Sequence, residues 1–175
     1  GEEDRRVNVG ALVPELPHIY LTSSRDESID KALRLVRCTR KQAQVAIGFD
    51  GGYLGHTAAT CRSLSDPSTH AGGPGHFAWP RVPHPAIAGT AATIDALRAA
   101  VTAAGGGAKI LGVVYELVQE RTGWVLPPDF LAALGALRSE LDIPLIAMET
   151  TTNTYRSGRG PFLSTAAGSL VPDVL

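Results

Sequence analysis

Ile110-Leu111-Gly112-Val113-Val114-Tyr115 is an uninterrupted run of uncharged, mostly apolar residues, and it decides the fold class of this sequence. A strand that is apolar at every position, and not only at every second one, is typical of a parallel sheet with both faces covered. Pro144-Leu145-Ile146-Ala147-Met148 has the same character. We therefore expect two buried parallel strands in the C-terminal half of the chain.

Segments with helical periodicity lie between the apolar strands. Ile29, Leu33 and Val36 recur on one helical face, and Glu27 follows Ser24 at the spacing of a capping box. The predicted elements in chain order are a strand at 19–22, a helix at 24–37, a strand at 44–49, a helix at 93–104, a strand at 110–115, a helix at 127–141, a strand at 144–148 and the start of a strand at 172–175. This alternation predicts a three-layer α/β fold, with a mostly parallel sheet and helices on both of its faces.

The bulk composition is that of one ordinary globular domain. Of 175 residues, 44% are hydrophobic and 19% are charged, and the formal net charge is −1. Neither a disordered chain nor a nucleic-acid-binding surface is expected from these values, and no apolar run is long enough to cross a membrane. Because Pro14 and Pro17 break the first segment, we interpret 1–17 as an N-terminal arm or linker and 18–175 as the core domain.

The cysteines and histidines support neither a disulfide framework nor a metal site. Cys38 and Cys61 form no CxxC pair, and the five histidines show no ligand spacing. This usage favours a reducing cytoplasm as the compartment. Residues 62–89 are rich in Gly, Pro, His and Ser without a clear period, so we expect a long, solvated, irregular loop there that includes His84.

Polar or glycine-containing segments directly follow the apolar strands. They are residues 23–27, 50–55, 116–121 and 149–158. Ligands of open parallel sheets bind at the carboxyl ends of the strands. We therefore expect these four segments to form the candidate binding edge of the domain.

The same four segments, together with residues 172–175, carry a resemblance to a known enzyme family. The stretches that carry it are Ser24 to Arg37, Phe49-Asp50-Gly51-Gly52-Tyr53-Leu54-Gly55-His56-Thr57, Val114-Tyr115-Glu116-Leu117-Val118-Gln119-Glu120, Leu145-Ile146-Ala147-Met148-Glu149-Thr150 and Pro172-Asp173-Val174-Leu175. In this order they resemble the class III aminotransferases, the acetylornithine and ornithine aminotransferase group of fold-type I enzymes, which use pyridoxal phosphate (PLP). The likeness covers nearly the whole chain from Ile19 and implies the large-domain core of that fold.

The resemblance also implies which residues face the cofactor and the substrate. Glu116 falls on the substrate side, and the residues implied for the cofactor are Ser24, Arg25, Asp26, Tyr53 and Glu149. Arg25 and Asp26 replace the small residues of the family's phosphate cup, so Asp26 brings a carboxylate beside a phosphate dianion. The residues also have simpler structural interpretations: Ser24 as a helix cap, Tyr53 as packing on a glycine-rich turn, and the glutamates as acceptors of local hydrogen bonds.

Met148 is the departure from the family with the largest chemical consequence. The resemblance places an aspartate here that pairs with the protonated pyridinium nitrogen, and stabilising that cation makes the ring an electron sink. A thioether carries no charge and accepts hydrogen bonds only weakly. The family's Schiff-base lysine would follow Leu175, and neither Lys41 nor Lys109 matches its position. We therefore assign no catalytic residue and expect the chain to bind no PLP alone.

Three functions are compatible with this pattern. The first is an aminotransferase-like pseudoenzyme subunit, which forms a hetero-oligomer with a competent class III chain and belongs to an assembly that contains PLP. The second is an active split enzyme whose lysine comes from another chain. The third is a non-enzymatic docking module of a biosynthetic assembly. We rank the first ahead of the third and the second last, and we expect neither a nucleic-acid nor a membrane partner.

Overall fold

A parallel sheet forms the centre of the domain. The computed structural model describes residues 13–69, 76–158, 160–166 and 170–175. Within these ranges the strands are β1 (Val45–Phe49), β2 (Arg81–Val82), β3 (Ile110–Tyr115) and β4 (Leu145–Ala147), in the spatial order β2-β1-β3-β4. Each neighbouring pair is parallel. The apolar run at 110–115 is β3, and every one of its residues is buried, as a strand covered on both faces requires.

Helices cover both faces of this sheet. The helices of the described residues are α1 (Arg25–Thr39), α2 (Ala59–Leu64), α3 (Pro85–Ala88), α4 (Thr90–Ala103), α5 (Pro128–Leu141) and α6 (Leu163–Ala166). Successive residues of β3 enter two separate core layers, with Val113 in the layer that contains Leu97 and Phe130. Val114 enters the opposite layer, which contains Leu33 of α1. The predicted three-layer α/β fold is thus confirmed.

The register of the strands brings their carboxyl ends to one edge. Ile47 of β1 is level with Val113 of β3, and Tyr115 of β3 is level with Ala147 of β4. The segments that leave β1, β3 and β4 therefore start side by side. Three of the polar segments that the sequence marks as the binding edge are these same segments.

The predicted strand at 19–22 is wrong. These residues belong to no strand of the described chain, and Leu21 is 93% exposed. The segment has strand-like composition, but a strand forms only where a neighbour offers backbone partners. On the side of β4 away from β3, Val174 forms a parallel bridge with Ile146. The strand predicted to start at 172 is present only as this bridge.

The predicted irregular loop at 62–89 is wrong in part. A 3₁₀ turn at Pro67–Thr69, the strand β2 and the helix α3 interrupt it, and residues 70–75 lie outside the described ranges. His84 is only 2% exposed, and its Nδ1 accepts a hydrogen bond from the Ala86 N–H at 3.2 Å at the start of α3. Elements of two to four residues are too short to produce a recognisable period in the sequence.

The N-terminal arm is described only in its last part. Residues 1–12 lie outside the described ranges, and Val13 is 4% exposed. The division into an arm at 1–17 and a core at 18–175 therefore stays a prediction. Among the described helices, none combines the length and the apolar character that crossing a membrane requires.

Candidate functional site

The start of α1 is closed by its own side chains. Ser24 caps the helix, and its Oγ accepts a hydrogen bond from the Glu27 N–H at 3.2 Å. The Glu27 carboxylate reaches back and accepts from the N–H of Ser23 at 2.8 Å and from its hydroxyl at 2.7 Å. The interpretation of Ser24 as a helix cap is confirmed, and the reciprocal bond is made one residue earlier than in a standard capping box.

The Asp26 carboxylate ties α1 to the segment before α2. Its Oδ2 accepts hydrogen bonds from the N–H groups of Thr57, at 2.7 Å, and Ala58, at 3.0 Å. Gly55 makes this approach possible, because a Cβ built there would lie 2.3 Å from Asp26 Oδ1. Two backbone donors that a phosphate group would otherwise find at this edge are thus already bonded to a carboxylate.

Arg25 crosses the edge of the sheet from α1 to the segment after β3. One terminal guanidinium nitrogen, Nη1, donates to Glu120 Oε2 at 2.6 Å, and the guanidinium carbon lies 4.4 Å from the centroid of the Tyr53 ring. The pair is partly buried, with side-chain exposures of 22% for Arg25 and 37% for Glu120. The guanidinium is therefore held by one ion pair and one cation–π contact.

Glu116 directly follows β3 and joins two segments of the edge. It is 5% exposed. Its Oε2 accepts from the Tyr53 N–H at 3.1 Å, and its Oε1 accepts from the Glu120 N–H at 3.0 Å. Burial raises the pKa of Glu116 to about 7, against the opposing effects of the two backbone hydrogen bonds and of Arg25. A carboxyl with a pKa in this range can exchange a proton near neutral pH.

Glu149 has a different set of contacts. Its carboxylate accepts from the Thr152 hydroxyl at 2.9 Å, from the Leu163 N–H at 2.6 Å and from the Ser164 N–H at 2.7 Å. It therefore binds the first turn of α6, which agrees with the interpretation of this glutamate as an acceptor of local hydrogen bonds. Within the described part of the chain, these hydrogen bonds lead to α6 and to Thr152, and not to Arg25, Tyr53 or Glu116.

Met148 directly follows β4 and lies in an apolar setting. It is 6% exposed and belongs to the core layer under α1, together with Leu54 and Ile146. Its backbone N–H donates to the Tyr115 carbonyl at 2.8 Å, which continues the parallel pairing of β3 and β4 by one residue. Its sulfur accepts from the Thr150 hydroxyl at 3.2 Å. The position is packed as core and presents no carboxylate to the site.

The sequence predicts that one edge of the sheet carries Ser24, Arg25, Asp26, Tyr53 and Glu116. In the structure these residues lie at the edge where the strands end. The sequence patterns did not single out Glu120, which completes the cluster by pairing with Arg25. The available signal was that Glu120 belongs to a strand-end segment opposite the N-terminus of a helix that carries an arginine. No group of three or more His, Cys, Asp or Glu side chains in the described part of the chain is arranged to hold a metal ion.

The residues present do not fit PLP. The cation available for a phosphate, Arg25, is already paired with Glu120, and the Asp26 carboxylate adds repulsion for a dianion. One face of the Tyr53 ring, on which the cofactor ring would stack, lies under the Arg25 guanidinium. Met148 offers the ring nitrogen no anionic partner. We therefore derive no chemical step through this cofactor in this chain.

Solved aminotransferases share the fold of this domain. Lysine aminotransferase from M. tuberculosis superposes with a TM-score of 0.83 at 22% identity, over 95% of this chain and 43% of that chain. A transaminase from the marine bacterium Virgibacillus gives 0.82 at 26% identity, over 94% and 38%. The PLP-bound form of an amine transaminase from an uncultivated Pseudomonas species gives 0.74 at 23% identity, over 87% and 38%. The chain thus spans less than half the length of each of these proteins.

Sequence comparison adds no closer relationship. No protein-family model matches the sequence, and no curated protein is significantly similar to it. The motifs from β1 to the segment after β4 and the superposition nevertheless point to the same architecture. The chain therefore has the α/β fold of these solved aminotransferases, over less than half of their length.

Proposed function

We propose that this chain is an aminotransferase-like subunit without PLP chemistry of its own, and that it pairs with a catalytically competent class III aminotransferase chain. The observation that carries the proposal is Met148. It lies at the end of β4 as a buried core residue, in a segment where the resemblance calls for a carboxylate. The paired state of Arg25 supports the same conclusion for the phosphate position. A domain that keeps this fold without these groups serves best as a structural partner.

An exposed apolar segment supports a role in association. Ile19, Tyr20 and Leu21, which precede α1, are 48%, 63% and 93% exposed. Consecutive apolar side chains on the surface are typical of protein–protein contact sites. We infer that this segment contributes to the interface with the partner chain. The PLP of the assembly is then bound by the partner, and the free thiols Cys38 and Cys61 favour the cytoplasm as its compartment.

The test is to isolate the complex from cells. A tagged full chain is purified from the cells that make it naturally, and co-purifying proteins are identified by mass spectrometry. We expect a stoichiometric partner with aminotransferase motifs, an Asp-Glu-Val segment and a downstream lysine. Leu21→Asp should reduce recovery of this partner about tenfold or more. Ile87→Asp introduces the same charge at a residue that is 65% exposed and should leave recovery unchanged.

Other outcomes would contradict the proposal in different ways. A partner without any aminotransferase likeness would favour the docking module. Appearance of the lysine-bound PLP absorbance band only when both chains are present, with turnover lost on Met148→Ala, would favour the split enzyme. A chain that is recovered only as a monodisperse monomer, without any stoichiometric partner, would overturn the pairing itself.

A further inference from the structure

An internal ion pair spans the edge at which the strands end. Arg25 is the first residue of α1, and Glu120 lies in the segment that follows β3. The 2.6 Å contact between them therefore joins two elements at the edge where the strands end. Ligands of parallel α/β sheets bind at the carboxyl ends of the strands.

The same contact covers an aromatic surface. The Arg25 guanidinium lies 4.4 Å from the centroid of the Tyr53 ring. The Tyr53 hydroxyl is bonded to His56 Nδ1 at 2.8 Å, and the two rings are nearly parallel, at 14° and 6.2 Å between centroids. Because Arg25 lies against the ring and His56 holds its hydroxyl, a flat ligand cannot stack on the guanidinium-covered face without displacing Arg25.

The guanidinium keeps unused hydrogen-bonding capacity. Its Nε is buried and has no acceptor among the described residues. Arginine binds phosphates and carboxylates best through two parallel N–H donors, and Glu120 uses only Nη1. Glu120 therefore uses only part of the donor capacity of Arg25, and the Glu120 side chain is 37% exposed to solvent.

We propose that the Glu120 carboxylate, by pairing with Arg25, blocks an anion-binding position at the strand-end edge and so excludes phosphate monoesters, PLP included. The nearby carboxylates of Asp26 and Glu116 add to the exclusion of a dianion, because they face the same edge. This proposal concerns ligand access within the chain and does not depend on the pairing proposed above.

The test measures anion binding to the purified full chain by isothermal titration calorimetry. The probes are inorganic phosphate and pyridoxamine 5′-phosphate, whose amine, unlike the aldehyde of PLP, does not react with surface lysines. Glu120→Ala should bind both probes about tenfold or more tightly than the wild type, as expected for a newly available charge-assisted contact. Arg25→Ala/Glu120→Ala should lose this gain, because the cation is then absent.

Glu140→Ala is the matched control. Glu140 of α5 also pairs with an arginine, Arg98 of α4, and Glu140→Ala changes the net charge by the same amount outside the segments that follow the strands. Its affinity for both probes should equal that of the wild type. Glu120→Gln, which keeps the side-chain length, serves as the second variant, and circular dichroism verifies that each variant is folded.

Three results would overturn the proposal. They are wild-type affinity for pyridoxamine 5′-phosphate equal to that of folded Glu120→Ala, an equal gain in Glu140→Ala, and a gain that survives the loss of Arg25. None of these results bears on whether a partner chain co-purifies. The failure of this proposal and the failure of the proposed function are therefore distinguishable.

Discussion

The buried carboxylate of Glu116 accepts a hydrogen bond from the backbone N–H of Tyr53 at 3.1 Å, and this bond joins the segment after β3 to the segment after β1. Burial raises the pKa of Glu116 to about 7, from 4.5 in the unfolded chain. The connection between the strand ends is therefore sensitive to pH.

Glu116→Gln should flatten the dependence of stability on pH between about 4.5 and 7. A carboxyl whose pKa is raised on folding binds a proton more tightly in the folded state, so its contribution is fully present below 4.5 and is lost as pH rises through about 7. The total is on the order of 3 kcal/mol at most. The measurement is the difference in unfolding free energy between wild type and variant, by urea denaturation at several pH values.

The size of this difference in unfolding free energy and its change with pH report two different properties of Glu116. Glutamine offers one acceptor oxygen where Glu116 uses two, so the variant loses about 1–3 kcal/mol at all pH values. Only the change of the difference with pH tests whether the pKa of Glu116 is raised. A wild-type-minus-variant difference that is constant from pH 4.5 to 7 would contradict the raised pKa. Glu140→Gln, whose carboxylate lies at the surface with 54% exposure, should leave the slope in this window nearly unchanged.

Met148→Asp should destabilise the fold and should not restore a cofactor site. The side chain is 6% exposed among apolar neighbours that include Leu54 and Ile146, and burying a carboxyl without partners costs about 2–4 kcal/mol. The midpoint of urea unfolding should therefore fall. Met148→Leu has nearly the same volume and should cost less than about 1.5 kcal/mol. An aspartate variant as stable as the leucine variant would show that the position is more polar than its packing indicates.

Glu149→Ala should loosen the segment around α6. The carboxylate accepts hydrogen bonds from the Leu163 and Ser164 N–H groups and from the Thr152 hydroxyl, and each buried donor left unpaired costs about 1–3 kcal/mol. Hydrogen exchange at 163–164 should accelerate more than exchange in β3. Thr152→Val removes a single one of these bonds and should give a smaller effect. Equal protection at 163–164 in the wild type and in Glu149→Ala would refute the anchoring role.

The sequence predicted those parts of the fold whose signal is local. The run at 110–115 is apolar at every position because β3 lies between two core layers, and Ser24 caps α1 through a hydroxyl that bonds three residues ahead. The strand predicted at 19–22 is wrong because composition alone does not say whether a neighbouring strand is present. The contact of Arg25 with Glu120 joins residues 95 positions apart, and only the assembled sheet brings them together.

Gly48→Ala should destabilise the chain through a single carbon atom. A Cβ at this position of β1 would lie 2.7 Å from the Leu64 carbonyl oxygen, which is backbone at the end of α2 and has little freedom to move. Overpacking of this kind costs about 1–3 kcal/mol.

Gly135→Ala adds the same atom in α5, where its nearest neighbour is the end of the Leu170 side chain at 3.2 Å. A flexible side chain can yield there, and alanine gains about 1 kcal/mol in helix propensity, so thermal and urea denaturation should rank Gly135→Ala clearly above Gly48→Ala. The opposite order would contradict the close packing of the α2 backbone against β1 at Gly48.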